Sequence, residues 1–252
     1  MFDDPRDLEI TAFFALIALF EAWERLRPAR DVDRRSHWRF DVLCFGFALL
    51  VNRTCTHSVE SAVQALAPAA ALDGLATVRA LPGWAKVLVA LVTVDFALYW
   101  LHRAQHRSEL LWRTHVFHHS VDQLWWFTGF RTSALHSLLY NVPQTVVPMF
   151  VLQLSPLEAG TAFAIGVLVQ LWEHSNVEVD LGPLRYVVIS PQYHRIHHAA
   201  ELAQNVNFAP ILSVWDLAFG TFVDPRTMPR DFALGLRAPP KRAELPRMMV
   251  GV

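Results

Sequence analysis

The chain has 252 residues, of which 53% are hydrophobic and only 18% charged, and its mean hydropathy is +0.26. Soluble domains run nearer a quarter charged, so this composition excludes a disordered tail protein and argues against an ordinary soluble enzyme. A net charge of −1 supplies no whole-chain field for nucleic acid, and two cysteines without a CxxC pair make neither a disulfide framework nor a thiolate zinc site.

The N-terminus, Met1-Phe2-Asp3-Asp4, is acidic. A secretory signal opens on a basic stretch and closes on a small-residue cleavage site, so the first apolar run, Ile10 to Trp23, is expected to be retained. A second run goes from Phe40 to Val51, and a third from Trp84 to Leu101 with Lys86 at one end and Asp95 inside. The fourth, Leu138 to Leu154, contains Pro143 and Pro148 and is expected to kink or to cross only in part. Ser155-Pro156-Leu157-Glu158 separates it from the fifth, Ala159 to Trp172.

Six arginines, Arg25, Arg27, Arg30, Arg34, Arg35 and Arg39, lie between the first two runs, against Arg53 and Arg79 between the second and third. The positive-inside rule places the first of these loops in the cytoplasm. Following the crossings, residues 102–137 and 174–252 share the cytoplasmic face and hold ten of the twelve histidines. Runs this short also suit buried helices of a soluble all-helical protein. The expected fold is all-α: an integral membrane protein with four to five spanning helices and a cytoplasmic helical cap. Residues 1–225 are read as one membrane-embedded domain, and 226–252, rich in Pro and Arg, as a surface tail.

Three histidine clusters occupy that face: His102 with His106, His115 with His118 and His119, and His194 with His197 and His198. Residues three and four apart share a helix face, so each cluster is expected to aim its imidazoles in one direction. Eight imidazoles exceed the four ligands of a tetrahedral zinc and suit two metal ions, each with an open position. His174 and His136 sit at the same expected depth and are candidates to join them, whereas His37 and His57 lie outside the clusters. One HxxxH arises by chance; three clusters on one face do not. Imidazole suits zinc, copper, iron and nickel alike, so the spacing does not name the metal.

A ligating imidazole usually donates its other N–H to a carboxylate, carbonyl or water. Asp95 lies two helical turns before His102, and a charge inside a span is costly, so it is expected to orient His102 or a neighbour. Asp122, Glu173, Asp216, Asn176 and Asn207 are further candidates, the two amides also being possible helix caps. Asp95 and Asn176 are the catalytic residues expected beside the histidines. Arg103 and Arg195, inside clusters, are read as partners of such carboxylates or as surface charge. Trp125-Trp126-Phe127 reads as an interfacial belt.

The order of these motifs resembles the fatty acid hydroxylase / sterol desaturase superfamily of membrane di-iron enzymes. The resemblance runs from Asp95 to Phe222. It takes in Tyr99-Trp100-Leu101-His102, His106, Trp112-Arg113-Thr114-His115 and His118-His119-Ser120. It continues through His174-Ser175-Asn176, Gln192-Tyr193-His194, His197-His198, Asn207-Phe208 and Trp215-Asp216. Ala209 stands where the family usually has Gly. His136, in Arg131-Thr132-Ser133-Ala134-Leu135-His136, stands where many relatives have a His-Pro after an Arg. The resemblance implies two irons, with zinc as a possible substitute, and O2 as co-substrate. It implies hydroxylation or desaturation of an unactivated C–H bond in a lipid or sterol-like substrate. Reductant then comes from an outside donor of cytochrome b5, ferredoxin or reductase type, since no flavin or nicotinamide fingerprint is found. The Arg-rich, Lys-poor composition points to a bacterial inner membrane; an endoplasmic reticulum membrane would suit a eukaryote. The competing reading is a membrane zinc-binding or zinc-transport protein. Transport ligands belong near mid-bilayer, whereas these histidines fall at span ends on one side.

Overall fold

The structure is a computed structural model and describes residues 5–66, 74–200, 205–241 and 243–252. Among them every regular element is helical, with no strand and a single isolated bridge between Ala199 and Leu234. The first apolar run lies in α1 (Pro5–Leu26) and the second in α2 (Trp38–Leu66). A short α3 (Ala76–Arg79) precedes α4 (Gly83–Arg107), which holds the third.

Helices α2 and α4 are long and apolar enough to cross a membrane, and only 22% and 28% of their apolar stretches are buried inside the protein. Leu43 and Leu50 on α2 and Trp84 and Leu88 on α4 point outward. A core helix of a soluble protein hides such side chains. Four to five spanning helices were the expectation, and among the described residues only these two meet the length and hydropathy required.

The fourth run does not make one straight helix. Its helix α6 (Ala134–Thr145) contains Pro143 and gives way to a π-helical stretch, Val146–Val151, around Pro148. A proline lacks the N–H that an uninterrupted helix needs, so the ladder re-registers there. The fifth run lies in α7 (Pro156–His174), and the polar break before it is a capping box. Ser155 Oγ accepts from Glu158 N, and Glu158 Oε2 accepts from Ser155 N. Glu158 also pairs with Lys86 at 2.7 Å, tying the start of α7 to α4.

Helix α1 packs on α7, α2 on α6, and α4 on both α7 and α5 (Glu109–His115). Helix α8 (Pro191–His197) rests on the end of α7. Two short helices, α9 (Val214–Phe219) and α10 (Leu245–Val250), complete the α-helices among the described residues. The buried Glu24 carboxylate fastens the end of α1: Oε1 accepts from Trp126 N and Asn176 N, and Oε2 pairs with Arg34.

Two sequence expectations change here. Trp125 and Trp126 are not an exposed belt; they are buried against Phe20 and Leu171, and the Trp126 indole donates to Glu21. The segment after residue 225 is only in part a surface extension. Phe232 and Met248 are buried, the latter beside Cys44 and Phe117.

Candidate metal centre

Four helix ends supply the imidazoles. Helix α4 carries His102 and His106 in its last two turns. Ser108 then breaks the chain to an extended conformation, and its Oγ caps α5, which ends on His115. A 3-10 turn follows, with His118 and His119. Helix α7 ends on His174. Ser190 caps α8, Pro191 opens it, and it presents His194 and His197, with His198 just past its end.

Nine of the ten expected histidines form two sets of converging nitrogens. The first set is His102, His106, His115, His119 and His197; the second is His118, His174, His194 and His198. In the first, Nε2 of His115 lies 2.9 Å from Nε2 of His102 and 3.1 Å from that of His119, which is 3.1 Å from that of His197. In the second, Nε2 of His174 lies 3.2 Å from that of His118 and 3.1 Å from that of His194, which is 3.1 Å from that of His198. Two nitrogens bound to one metal at about 2.1 Å stand about 3.0 Å apart at a right angle and about 3.4 Å apart at a tetrahedral one. The observed spacings suit the right-angled case.

The protonation pattern calls for a cation. A backbone carbonyl only accepts, so an Nδ1 facing one must carry the hydrogen. Carbonyls face Nδ1 of His102 (Phe208, 2.7 Å), His118 (Arg131, 3.2 Å), His174 (Gln170, 2.9 Å) and His197 (Val206, 2.8 Å). Each of these neutral rings then presents a bare lone pair at Nε2. His118 and His174 therefore aim lone pairs at each other across 3.2 Å, which is repulsive without a positive charge between them. Nε2 of His106 and Nδ1 of His119 and His198 are buried with no hydrogen-bond partner. Burial pushes the imidazoles of His115, His119, His194, His197 and His198 well below their ordinary pKa, and that of His118 down to about 4. Neutral imidazole is the form that binds metal. The residues present thus fit a pair of imidazole-bound metal ions.

The expectation that each cluster aims one way holds for His102 with His106, and for the four-apart pairs His115 with His119 and His194 with His198, but not for the whole of the second and third clusters. His119 and His197 join the first set, while their chain neighbours His118 and His198 join the second. Adjacent residues point about 100° apart around a helix, so a His-His pair faces two directions. The sets lie side by side, with the rings of His119 and His198 stacked at 4.4 Å.

His136, expected as a tenth ligand, falls outside both sets. Its Nδ1 lies 3.0 Å from Nδ1 of His115 and 3.2 Å from Nε2 of Gln105, and its ring packs on Tyr140. It stands where an outer acceptor for His115 belongs. Asp95 does not reach an imidazole either. It accepts from the backbone of Ile211 and Leu212 and from the Trp215 indole at 2.7–3.1 Å, because those donors, unlike the histidines, face it. The Phe208 carbonyl takes the role expected of Asp95. Asn176 holds the loop after α1, exchanging hydrogen bonds with the backbone of Arg30.

Glu173 is the carboxylate nearest the imidazoles, 3.4 Å from Nδ1 of His174 and 3.8 Å from Nδ1 of His194. Asp216 supports from behind, accepting from Phe208 N, Ala209 N, Thr221 and the Tyr193 hydroxyl. Asn207 bonds Tyr193 O and Val223. Arg103 donates to the Tyr99 hydroxyl, and Arg195, which is buried, to the Ser175 and Val177 carbonyls. Sequence reasoning missed Gly129, whose Cα lies against His174: a Cβ there would sit 2.5 Å from Cγ of that ring. Its signal is a lone glycine among aromatics. The orienting carbonyls leave no signal, since every residue has one.

The fatty acid hydroxylase family model matches residues 87–221, just over half the chain and every histidine of both sets. An ornithine lipid hydroxylase of Rhizobium tropici is 30% identical over 84% of this chain and 65% of its own length. Human alkylglycerol monooxygenase is 32% identical over 53% of this chain and 29% of its own length. A Delta(7)-sterol-C5(6)-desaturase of Nicotiana tabacum is 26% identical over 71% of this chain and 70% of its own length. The chain therefore spans under two thirds of the first of these relatives and under a third of the second. No solved structure matches it significantly. On the family match and the motifs it covers, the chain belongs to the fatty acid hydroxylase family.

Proposed function

We propose that this chain is a membrane-embedded, metal-dependent oxidoreductase that uses O2 and electrons from an outside donor to hydroxylate an unactivated C–H bond of a polar lipid. Desaturation is the other outcome open to the same chemistry. The observation that carries this reading is the pair of adjacent sets of neutral imidazoles, oriented by carbonyls and buried at the ends of apolar helices. The names of the relatives support a lipid substrate, since they are hydroxylases, monooxygenases and desaturases of lipids. In this reading residues 1–225, with Phe232 and Met248 packed onto them, form one domain with four to five crossings, and the metal-bearing cap lies on the cytoplasmic side.

His102, His106, His115, His119 and His197 would hold one iron, and His118, His174, His194 and His198 the other. When bound, such a pair of irons would supply the O2-dependent oxidising power for C–H cleavage. The chain's own residues do the positioning. The Phe208, Arg131, Gln170 and Val206 carbonyls fix four rings, and Glu173 lies beside the outer nitrogens of two. Trp112 and Phe208 pack against the ring of His106 and fix its place. Outward-facing apolar side chains on α2 and α4 match a lipid's acyl chains.

The test begins with detergent-purified protein loaded anaerobically with ferrous iron, zinc being counted separately. Membrane lipid, O2 and a reducing system are then supplied, and lipid products are read by mass. A gain of one oxygen atom per lipid, lost in His118→Ala, is the expected result. Metal flux across vesicles with no oxygen consumed would replace this reading with transport.

A further inference from the structure

Helix α8 carries a second feature besides its histidines. A cavity of about 330 Å³ is lined by Arg195 and Ile196, which lie between His194 and His197 in the chain, and by none of the imidazoles. Arg30, from the loop after α1, lines it too. Arg195 is only 5% exposed, and its Nε is buried without a partner. Its Nη2 reaches two backbone carbonyls at 3.1 and 3.3 Å. Arg30 donates from Nη1 to the Phe232 carbonyl and lies over that ring at 4.3 Å.

Among the described residues no carboxylate forms an ion pair with either guanidinium. Glu24, Glu178 and Asp231 offset these charges only through space, while Arg30 and Arg195 repel each other. The cavity's other arginines are taken: Arg230 pairs with Glu178 at 2.8 Å, and Arg185 and Arg226 pair with Asp224 at 3.1 and 2.9 Å. Asp180, the remaining acid of the lining, accepts from Gly182 N. A guanidinium stays charged at any ordinary pH, and a buried charge without a partner is costly. Arg195 is such a charge, and the half-buried Arg30, close enough to repel it, adds a second, so the pair calls for a ligand with two negative charges. A phosphate monoester carries about −1.5 to −2 near neutral pH and offers three oxygens to guanidinium forks. A cavity of this size admits such a group together with part of whatever it esterifies.

We propose that the cavity beside α8 is a binding site for a phosphate monoester or inorganic phosphate, held by Arg30 and Arg195. The same chemistry occurs in a lipid headgroup, phosphatidate, and in free phosphate. The site is independent of the proposed oxidation.

The test uses the full chain in nanodiscs of phosphatidylcholine alone, or with phosphatidate added, and titrates inorganic phosphate calorimetrically. In phosphatidylcholine discs, saturable binding is expected. It should weaken about tenfold or more in Arg30→Gln and Arg195→Gln. It should weaken less in Arg195→Lys, which keeps the charge and loses the fork, and should persist in Arg53→Gln outside the cavity. Phosphate binding that vanishes in phosphatidate discs assigns the site to the lipid headgroup; binding that survives there assigns it to soluble phosphate. Equal binding by wild type, Arg30→Gln and Arg195→Gln overturns the proposal, as does wild-type protein that takes up neither phosphate nor phosphatidate. If Arg195→Gln does not fold, Arg30→Gln, a loop substitution, carries the comparison.

Discussion

His118 and His119 are consecutive in the chain, yet their rings stand at 90° and face different partners: His118 meets His174, and His119 meets His115 and His197. His197 and His198 repeat the relationship, with rings at 89°. Each His-His pair thus places one ring in each set. The two sets are therefore separable by mutation. His119→Ala is expected to reduce iron from roughly two per chain towards roughly one by emptying the first set, and His118→Ala to do so by emptying the second. Lipid oxidation should fall at least about a hundredfold in both, because the chemistry needs the pair. Plasma mass spectrometry of anaerobically loaded protein checks this. Full metal content in both variants would sink the assignment of the sets.

Gly129 leaves no room for a side chain. A Cβ there would lie 2.5 Å from Cγ and 2.8 Å from Nδ1 of His174, closer than non-bonded atoms approach. Gly129→Ala should displace that ring and weaken metal binding in the second set about tenfold to a hundredfold, with the first set retained. Competitive chelator titration reads both sites. Wild-type affinity at both would show that the loop yields instead.

Asp95 and Glu173 are expected to separate stability from metal affinity. Asp95 accepts three hydrogen bonds from the segment 211–215, so Asp95→Asn should cost about 1–3 kcal/mol of stability and leave the metal count at saturating iron unchanged. Glu173 lies beside the outer nitrogens of His174 and His194, so Glu173→Gln should weaken the second set about tenfold or more with little loss of stability. Thermal melts set against chelator titrations distinguish the two. Reversed outcomes would mean the two carboxylates have been given each other's roles.

Metal-free protein should be acid-sensitive. A folded imidazole held below its unfolded pKa of about 6.5 stabilises the fold fully above that pH, and the contribution is lost as pH falls through the folded value. For His118 the window runs from about 6.5 down to about 4, and the other rings outside the spans shift in the same direction. The melting temperature of chelated protein should therefore drop between about pH 6.5 and about pH 5. Iron should raise it near neutrality, and this gain should fade in acid as protons displace the metal. A flat profile without metal would show that the rings are not held neutral.

The order of apolar runs and histidines was enough to determine an all-helical chain with imidazoles at its helix ends. Those features follow from local patterning, in which hydrophobic length sets a helix and a three- or four-residue spacing sets its face. Tertiary structure alone decided which ring joins which set. His119 meets His197 across 78 residues, and His118 meets His174 across 56, distances at which periodicity says nothing. It also decided what orients the rings. Sequence reading looks for carboxylates, because only side chains are visible in a sequence, and so it chose Asp95. The fold turned the backbone carbonyls of Phe208, Arg131, Gln170 and Val206 towards four rings. Every residue has a carbonyl, and its direction is a property of the folded chain. His136 shows the same limit: its position in sequence admits it as a ligand, but packing on Tyr140 leaves it behind His115.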